Sequence, residues 1–385
     1  MVTVVISPCR VVKFLDGGGH FWVYMQYVQG LRQLGCEVYW LEHFCSSGDQ
    51  ARDALMLSTF AQRMEHYGLA GKFILYMSQE QSAESGQYTY LDMTQLEAEA
   101  IFRRADVLLN FDYKIDAVLL SRFRRTAVVD IDPGLLQLWI ATRQIPVPPH
   151  DVYLTTGETV GTPSTLIPDC GHRWLHIRPP VCLEQWPYVY DPRCEAFTTV
   201  SSWCSNDWMT DGTQVYENNK RVSFLEFVEL PRRTSQPLEL AAFFGDWEGD
   251  DRDQLLFEEH GWRVRHSLEV AGTPESYQAY IQRSRGEFSC AKPFYIKLQT
   301  AWISDRTLCY LASGKPVVVQ HTGPSSFLPN EEGMFRFTTM EEAVEALATI
   351  NRDYERHCRA ARAIAETYFD ARQVTRDILN IALEC

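Results

Sequence analysis

The 385-residue sequence is short of several things, and each shortage closes off a class of function. It has no Cys-x-x-Cys pair, and its eleven cysteines are scattered singly from Cys9 to Cys385. A disulfide framework or a zinc site would show tighter spacing. The cysteines read instead as reduced, mostly buried thiols of a cytoplasmic protein. No run approaches the roughly 18 consecutive apolar residues of a membrane helix. The N-terminus, MVTVVISPCR, lacks the charged region and long apolar segment of a secretory signal. Basic residues are outnumbered, with 36 Lys and Arg against 50 Asp and Glu and a formal net charge of −14. That balance disfavours a nucleic-acid binder built on a broad basic face, because neutralising phosphates needs clustered Lys and Arg. It suits a neutral or cationic small acceptor better. Internal repeats and low-complexity tracts are also missing.

What is present is the make-up of a protein able to bury a large core, with 45% hydrophobic and 22% charged residues. The opening alternates. VTVVIS (2–7) is an apolar run of buried-strand type. Phe21, Met25, Val28, Leu31 and Leu34 then recur at helical spacing, Gly35 ends the helix, and CEVYWLE returns as a strand. DVLLNFDY (106–113), TAVVDID (126–132) and DVYLTTGE (151–158) are further strand patterns ending in acids. The Pro- and aromatic-rich PPVCLEQWPYVYDPRCEAF (179–197) reads as the connection between two domains. FTTVSSW, LELAAFFGDW (238–247), GWRVRHSLEV, EFSCA and KPVVVQHTG restart the alternation, and the end is helical, with capping-box spacing at Thr338 and Glu341. The expected fold is α/β. An N-terminal Rossmann-like domain spans 1–190, a C-terminal one spans 191–365, and a last helix over 366–385 packs back on the first domain.

Three stretches carry chemistry. GGGH (17–20) places Gly17, Gly18 and Gly19 between a strand and a helix start, where backbone N–H groups can face a bound anion. It lacks the GxGxxG spacing of dinucleotide-binding turns. His20 at the helix start is either a neutral general base or a histidine that caps the helix. TTGETVGTPSTLIPDCGHRWLHIRPPVCLEQW (155–186) follows an irregular path that exposes Glu158, His172, Trp174 and Arg178, as binding loops do. SRGEFSCAKPFYIKLQTAWISDRTLCYLASGKPVVVQHTG (284–323) opens a helix at Ser304 or Asp305 with Arg306 and Thr307 in its first turn, near Lys292. A helix start flanked by cations and hydroxyls suits a diphosphate.

ASGKPVVVQHTG (312–323), with the helix containing AARAIAETYFD, resembles the donor half of nucleotide-sugar glycosyltransferases of the two-Rossmann, GT-B type. GGGHFWVYMQYVQGLRQLGCEVYWLE resembles their acceptor half. DPG (132–134), GETVGTPSTLIPDCGHRW, RPPVCLEQW, PRRTSQPLELA and SDRTLCYLASGKPVVVQHTG are similar to those of a bacterial group of such enzymes. The resemblance implies two domains facing across a cleft, with a nucleotide-diphosphate sugar, UDP- or TDP-linked, as co-substrate and no other cofactor. It implies transfer to a hydroxyl of a small-molecule or glycan acceptor. No DxD pair is placed as a metal site, since Asp130 and Asp132 have the spacing but lie at a strand end in the acceptor half, so metal independence is expected. The donor would meet Gly17–Gly19, Lys292, Ser304, Asp305, Arg306, Thr307, Thr322 and Gly323. Glu158, His172, Trp174 and Arg178 would line the acceptor side. His20 matches the base of inverting members, with Asp112 as first choice of partner and Asp132 as second. Many retaining members carry two glutamates before this strand; the matching places here hold Ala301 and Cys309, which favours inversion. A sugar-nucleotide epimerase of the same build, a non-enzymatic sugar or nucleotide binder, and an enzyme glycosylating modified DNA bases are the competing readings.

Overall fold

The computed structural model describes residues 1–78, 87–163, 165–204, 208–210, 215–245 and 249–384. Cys385 and the 246–247 end of one strand reading lie outside these residues. Eight strands, β1 (Thr3–Ser7), β2 (Glu37–His43), β3 (Phe73–Ser78), β4 (Tyr88–Tyr90), β5 (Val107–Asn110), β6 (Thr126–Asp130), β7 (Val152–Thr155) and β8 (Trp174–His176), form one sheet in the order β4-β3-β2-β1-β5-β6-β7-β8. Every pairing is parallel except β3–β4. β1 lies in the middle, paired through Val4 to Val38 on one side and Val107 on the other, and all five of its residues are buried. Helices cover both faces of such a strand, so its sequence is apolar throughout rather than alternating.

A second unit follows. β9 (Phe197–Ser202) precedes an antiparallel pair, β10 (Trp208–Thr210) and β11 (Val215–Glu217). β9 then joins β12 (Leu238–Phe243), β13 (Arg263–His266), β14 (Gly286–Ser289), β15 (Val317–Gln320) and β16 (Met334–Phe337) in a parallel sheet ordered β13-β12-β9-β14-β15-β16. Both sheets reverse direction beside their first strand, at β1/β5 and at β9/β14. Loops leaving the carboxyl ends of neighbouring strands diverge at such a switch point and open a crevice. The fold is thus mixed α/β with two parallel-rich sheets and C-terminal helices. No described helix is long and apolar enough to cross a membrane. Cys182, Cys290, Cys309 and Cys358 are buried free thiols, whereas Cys45 is exposed, so burial is less general among the cysteines than expected.

The C-terminal chain helices at Met340–Arg352, Tyr354–Ile364 and Ala371–Glu384, with a π-helical turn at Ala365–Phe369. The capping box sits one residue later than the spacing suggests: Thr339 accepts from the Glu342 N–H at 3.2 Å, and Glu342 accepts from the Thr339 N–H. The chain crosses back where the Val181 N–H donates to the Phe369 carbonyl at 2.7 Å. Its last helix then lies along Gly18–Gln33, and Gly30 is small because a Cβ there would stand 2.5 Å from the Ala371 carbonyl.

The same logic explains the glycine triplet. A Cβ on Gly18 would collide with the backbone carbonyls of Thr273 and Ala271, and one on Gly19 would stand 2.9 Å from the Tyr277 ring. These glycines let the first helix of one domain dock on the helices Ser267–Ala271 and Pro274–Gln282 of the other. Two backbone walls cannot yield as a flexible side chain can. Gly18→Val is therefore expected to cost about 1–3 kcal/mol through overpacking. Thermal unfolding checks the cost, and small-angle scattering should show a larger radius of gyration as the domains part.

Candidate active site at the domain interface

A cleft of about 960 Å³ opens between the two domains. The first domain contributes Lys13, Phe14, Gly17–Gly19, His20 and Arg52; the second contributes Ser201, Lys220, Phe243, Tyr277, Ser304, Asp305 and Arg306. Both switch points thus feed one space. The sequence-derived residues Gly17, Gly18, Gly19, His20, Ser304, Asp305 and Arg306 meet there although nearly 300 residues separate the two groups.

His20 is half-buried in the first turn of the helix Gly18–Gln33. Its Nε2 lies 2.8 Å from the Cys9 carbonyl, which can only accept, so Nε2 carries the proton and Nδ1 keeps its lone pair. The Phe14 and Tyr24 rings pack edge-on at 5.1 and 5.3 Å. Burial lowers the imidazole pKa, outweighing the Cys9 hydrogen bond and the charge of Asp132, and the positive helix end opposes protonation as well. The ring is neutral at pH 7. Asp132, rather than Asp112, is the carboxylate whose charge reaches it. Asp132 follows β6 and accepts from the Tyr295 hydroxyl across the domain boundary at 2.5 Å. Just below it, buried Asp130 accepts from Gln137 at 2.7 Å and Thr155 at 2.8 Å, and desolvation raises its pKa to about 7. Asp112 accepts from the Lys114 N–H at 3.1 Å and shares its field with Arg10 and His43 instead.

On the opposite wall, Ser304 occupies the cap position of the helix Asp305–Ala312 without a side-chain cap bond. Arg306 is 6% exposed and donates to Glu287 Oε1 at 2.7 Å, the Val200 carbonyl at 2.7 Å and Ser289 Oγ at 2.5 Å. Burial works against its charge, Glu287 together with the Tyr277 and Tyr310 hydroxyls favours it, and on balance its pKa rises. Most of its donors are committed inside the protein. Removing it would strand a buried carboxylate at a cost of about 3–5 kcal/mol, so weaker ligand binding in such a variant would not report on the ligand.

Lys220 is the residue that sequence reasoning missed. It opens the helix Lys220–Glu226, lines the cleft and is only 8% exposed. Among the described residues it makes no hydrogen bond or salt bridge. Desolvation, with the charges of Arg306 and Lys292, drives its pKa well below the usual lysine value, against the pull of Glu287 and Asp305. Buried cations are normally paired, so one that lines an open cleft without a hydrogen-bonding partner among the described residues is a candidate contact for an anion. Its only sequence signal is the Asn219 cap before it, which accepts from the Val222 N–H at 3.4 Å.

The remaining sequence-derived residues stand away from His20. Lys292 caps the helix Pro293–Lys297, close enough for its charge to act on Lys220. Thr307 lies beneath the cleft in the protein interior, lining a small cavity of about 20 Å³. Thr322 donates to the Trp302 carbonyl at 2.6 Å, and Gly323, at φ 139°, leaves room for the Gln299 carbonyl. None of the four acceptor candidates lines the cleft beside His20. Glu158 accepts from Ser326 of the second domain at 2.6 and 2.7 Å, His172 stacks on Tyr153 at 3.9 Å, and Trp174 donates to the Asp169 carbonyl at 2.9 Å. Arg178 lies over the Phe327 ring at 4.7 Å, a cation–π contact that spans the domains.

No protein-family model and no curated protein matches the sequence. Solved structures do. The Anabaena protein HepE, in complex with UDP and glucose, superposes with a TM-score of 0.62 at 12% identity over 99% of this chain and 98% of its own. An alpha-glucosyltransferase in complex with UDP and a 13-mer DNA containing a central A:G mismatch gives 0.60 at 12% identity over 99% and 100%. AviGT4, a glycosyltransferase involved in avilamycin A biosynthesis, gives 0.54 at 13% identity over 99% and 96%. At these identities the likeness is one of fold: two Rossmann-like domains face each other across a cleft, in the GT-B architecture of these glycosyltransferases.

Proposed function

We propose that this chain transfers a sugar from a nucleotide-diphosphate donor to a hydroxyl of a small-molecule or glycan acceptor, with inversion at the anomeric carbon. One observation carries the reading: a neutral histidine lines one wall of the cleft, and the other wall holds a buried lysine with no hydrogen-bonding partner among the described residues. Glycosyl transfer needs both. The acceptor hydroxyl gives its proton to His20 Nδ1 as its oxygen attacks the anomeric carbon. The departing diphosphate gathers negative charge, which Lys220 and the N–H groups opening the Asp305 helix receive. Asp132 favours the imidazolium that forms. Closure of the domains excludes water that would otherwise hydrolyse the donor. The same reading has UDP- or TDP-linked sugars as donors, a cytoplasmic setting and charge neutralisation by the protein rather than by a metal ion.

The test is a thermal-shift series with UDP-, TDP-, GDP- and ADP-linked sugars, followed by turnover of the stabilising donor with EDTA present. One donor class is expected to raise the unfolding temperature and to be consumed only with an acceptor. A new sugar epimer from the donor alone would replace transfer by epimerisation, and binding without consumption would make the chain a binder. Salt-sensitive retention on duplex DNA would move the acceptor to a base.

A further inference from the structure

Glu42 is a buried acid that the proposed reaction does not use. It lies near the end of β2, 1% exposed, beside the point where the chain leaves β1. Its Oε1 accepts from the Val12 N–H at 2.7 Å and its Oε2 from Trp40 Nε1–H at 2.9 Å, with the Val11 N–H also in reach. Either oxygen of a carboxyl group can accept, and ionisation removes its one donor; a glutamine would turn a permanent N–H₂ against one of those N–H groups. The loop it grips, residues 8–17, holds Arg10 at φ 57°, a left-handed conformation that non-glycine residues seldom adopt unaided. The same loop meets His20 twice, through the Cys9 carbonyl at 2.8 Å and the Phe14 ring at 5.1 Å.

We propose that Glu42 is a positioning residue for His20: its carboxyl group holds the Val11–Val12 turn, and through that turn the Cys9 carbonyl that sets the tautomer and orientation of the imidazole. Desolvation raises its pKa to about 8, so the acid is mostly protonated near neutral pH and ionises just above it, when both oxygens become acceptors only. Asp112, Cys9 and Tyr24 are the titratable groups that share its field. The inference rests on reading His20 as the base, and its test separates the two.

The experiment is Glu42→Gln in the full chain, followed by steady-state kinetics and by ring-nitrogen NMR of His20. The variant is expected to lose about 10- to 100-fold in kcat, with the donor KM changed by less than about threefold, as for a misplaced but intact catalytic group. His20 should change from the Nε2–H tautomer to a mixture. In the unmodified protein, the Val12 amide and the His20 ring should share one pH-dependent step above the titration of His20 itself. That second measurement decides the matter if the variant does not fold. A parent-like tautomer in a folded variant, or a Val12 step to which His20 is blind, overturns the proposal. If the NMR results hold and no nucleotide sugar is consumed, the positioning stands and the glycosyltransferase reading falls.

Discussion

Replacing His20 with alanine is expected to cut sugar transfer at least about a hundredfold while leaving nucleotide-diphosphate affinity nearly intact, since general-base groups contribute roughly 10²–10⁴-fold. The asymmetry follows from placement. The imidazole stands on the first-domain wall and Lys220 on the other, so the substitution removes the proton acceptor without touching the groups offered to the diphosphate. Its pH dependence has a definite sign. Burial lowers the His20 pKa below 6.5, so kcat/KM should stay level from neutral pH down past that value and fall only as the depressed pKa is crossed. The unfolded chain binds this proton more readily than the folded one. Stability should therefore decline as pH falls from 6.5 through the folded pKa, and His20→Ala should lose that part of the acid sensitivity. Stopped assays across pH and calorimetric titration of the nucleotide provide the check. Unchanged turnover in the alanine variant would remove His20 from the mechanism.

Lys220→Met should move two measurements in opposite directions. Donor affinity is expected to fall by about 10- to 100-fold, because charge-assisted contacts to a buried anion are among the stronger polar interactions. The free protein is expected to unfold at a higher temperature, because methionine fills the space without the cost of an unpaired charge. The pH behaviour follows from the same depression. The folded state sheds the Lys220 proton at a lower pH than the unfolded chain does, so stability should rise with pH through that interval, and methionine should abolish the rise. A bound diphosphate restores the ammonium form, so binding above the depressed pKa takes up a proton. Calorimetry in buffers of different ionisation enthalpy measures that uptake. A destabilised variant with unaltered affinity would mean that Lys220 serves the fold and not the ligand.

Local chemistry made much of this molecule readable from the sequence. β1 is apolar along its length because it is buried on both faces, and the period of Phe21, Met25, Val28 and Leu31 marks a helix with one face on the core. Gly35, at φ 79°, follows that helix as a C-terminal glycine should. The alternation restarts near residue 197, where β9 begins. GGGH and SDRT are identifiable as helix starts, and the resemblance to GT-B enzymes implied that they face one cleft. The limits are just as physical. Helix ends and loops show only which groups are available, not which are already engaged. Arg306 looks free in the sequence and is bound to Glu287, Val200 and Ser289 in the structure. His172, Trp174 and Arg178 look exposed on an irregular segment and instead pack against Tyr153, Asp169 and Phe327.

The sequence by itself determined the alternation of strands and helices, its restart near residue 197 and the histidine candidate at a helix start, because strand burial, helix period and glycine placement are local properties. The tertiary structure alone decided which carboxylate's charge reaches His20, that Lys220 lines the cleft without a hydrogen-bonding partner among the described residues, and that Gly18 and Gly19 serve domain docking. Those depend on partners about 70 to 260 residues away along the chain, and charge, burial and steric fit are set by distance in space rather than along the sequence.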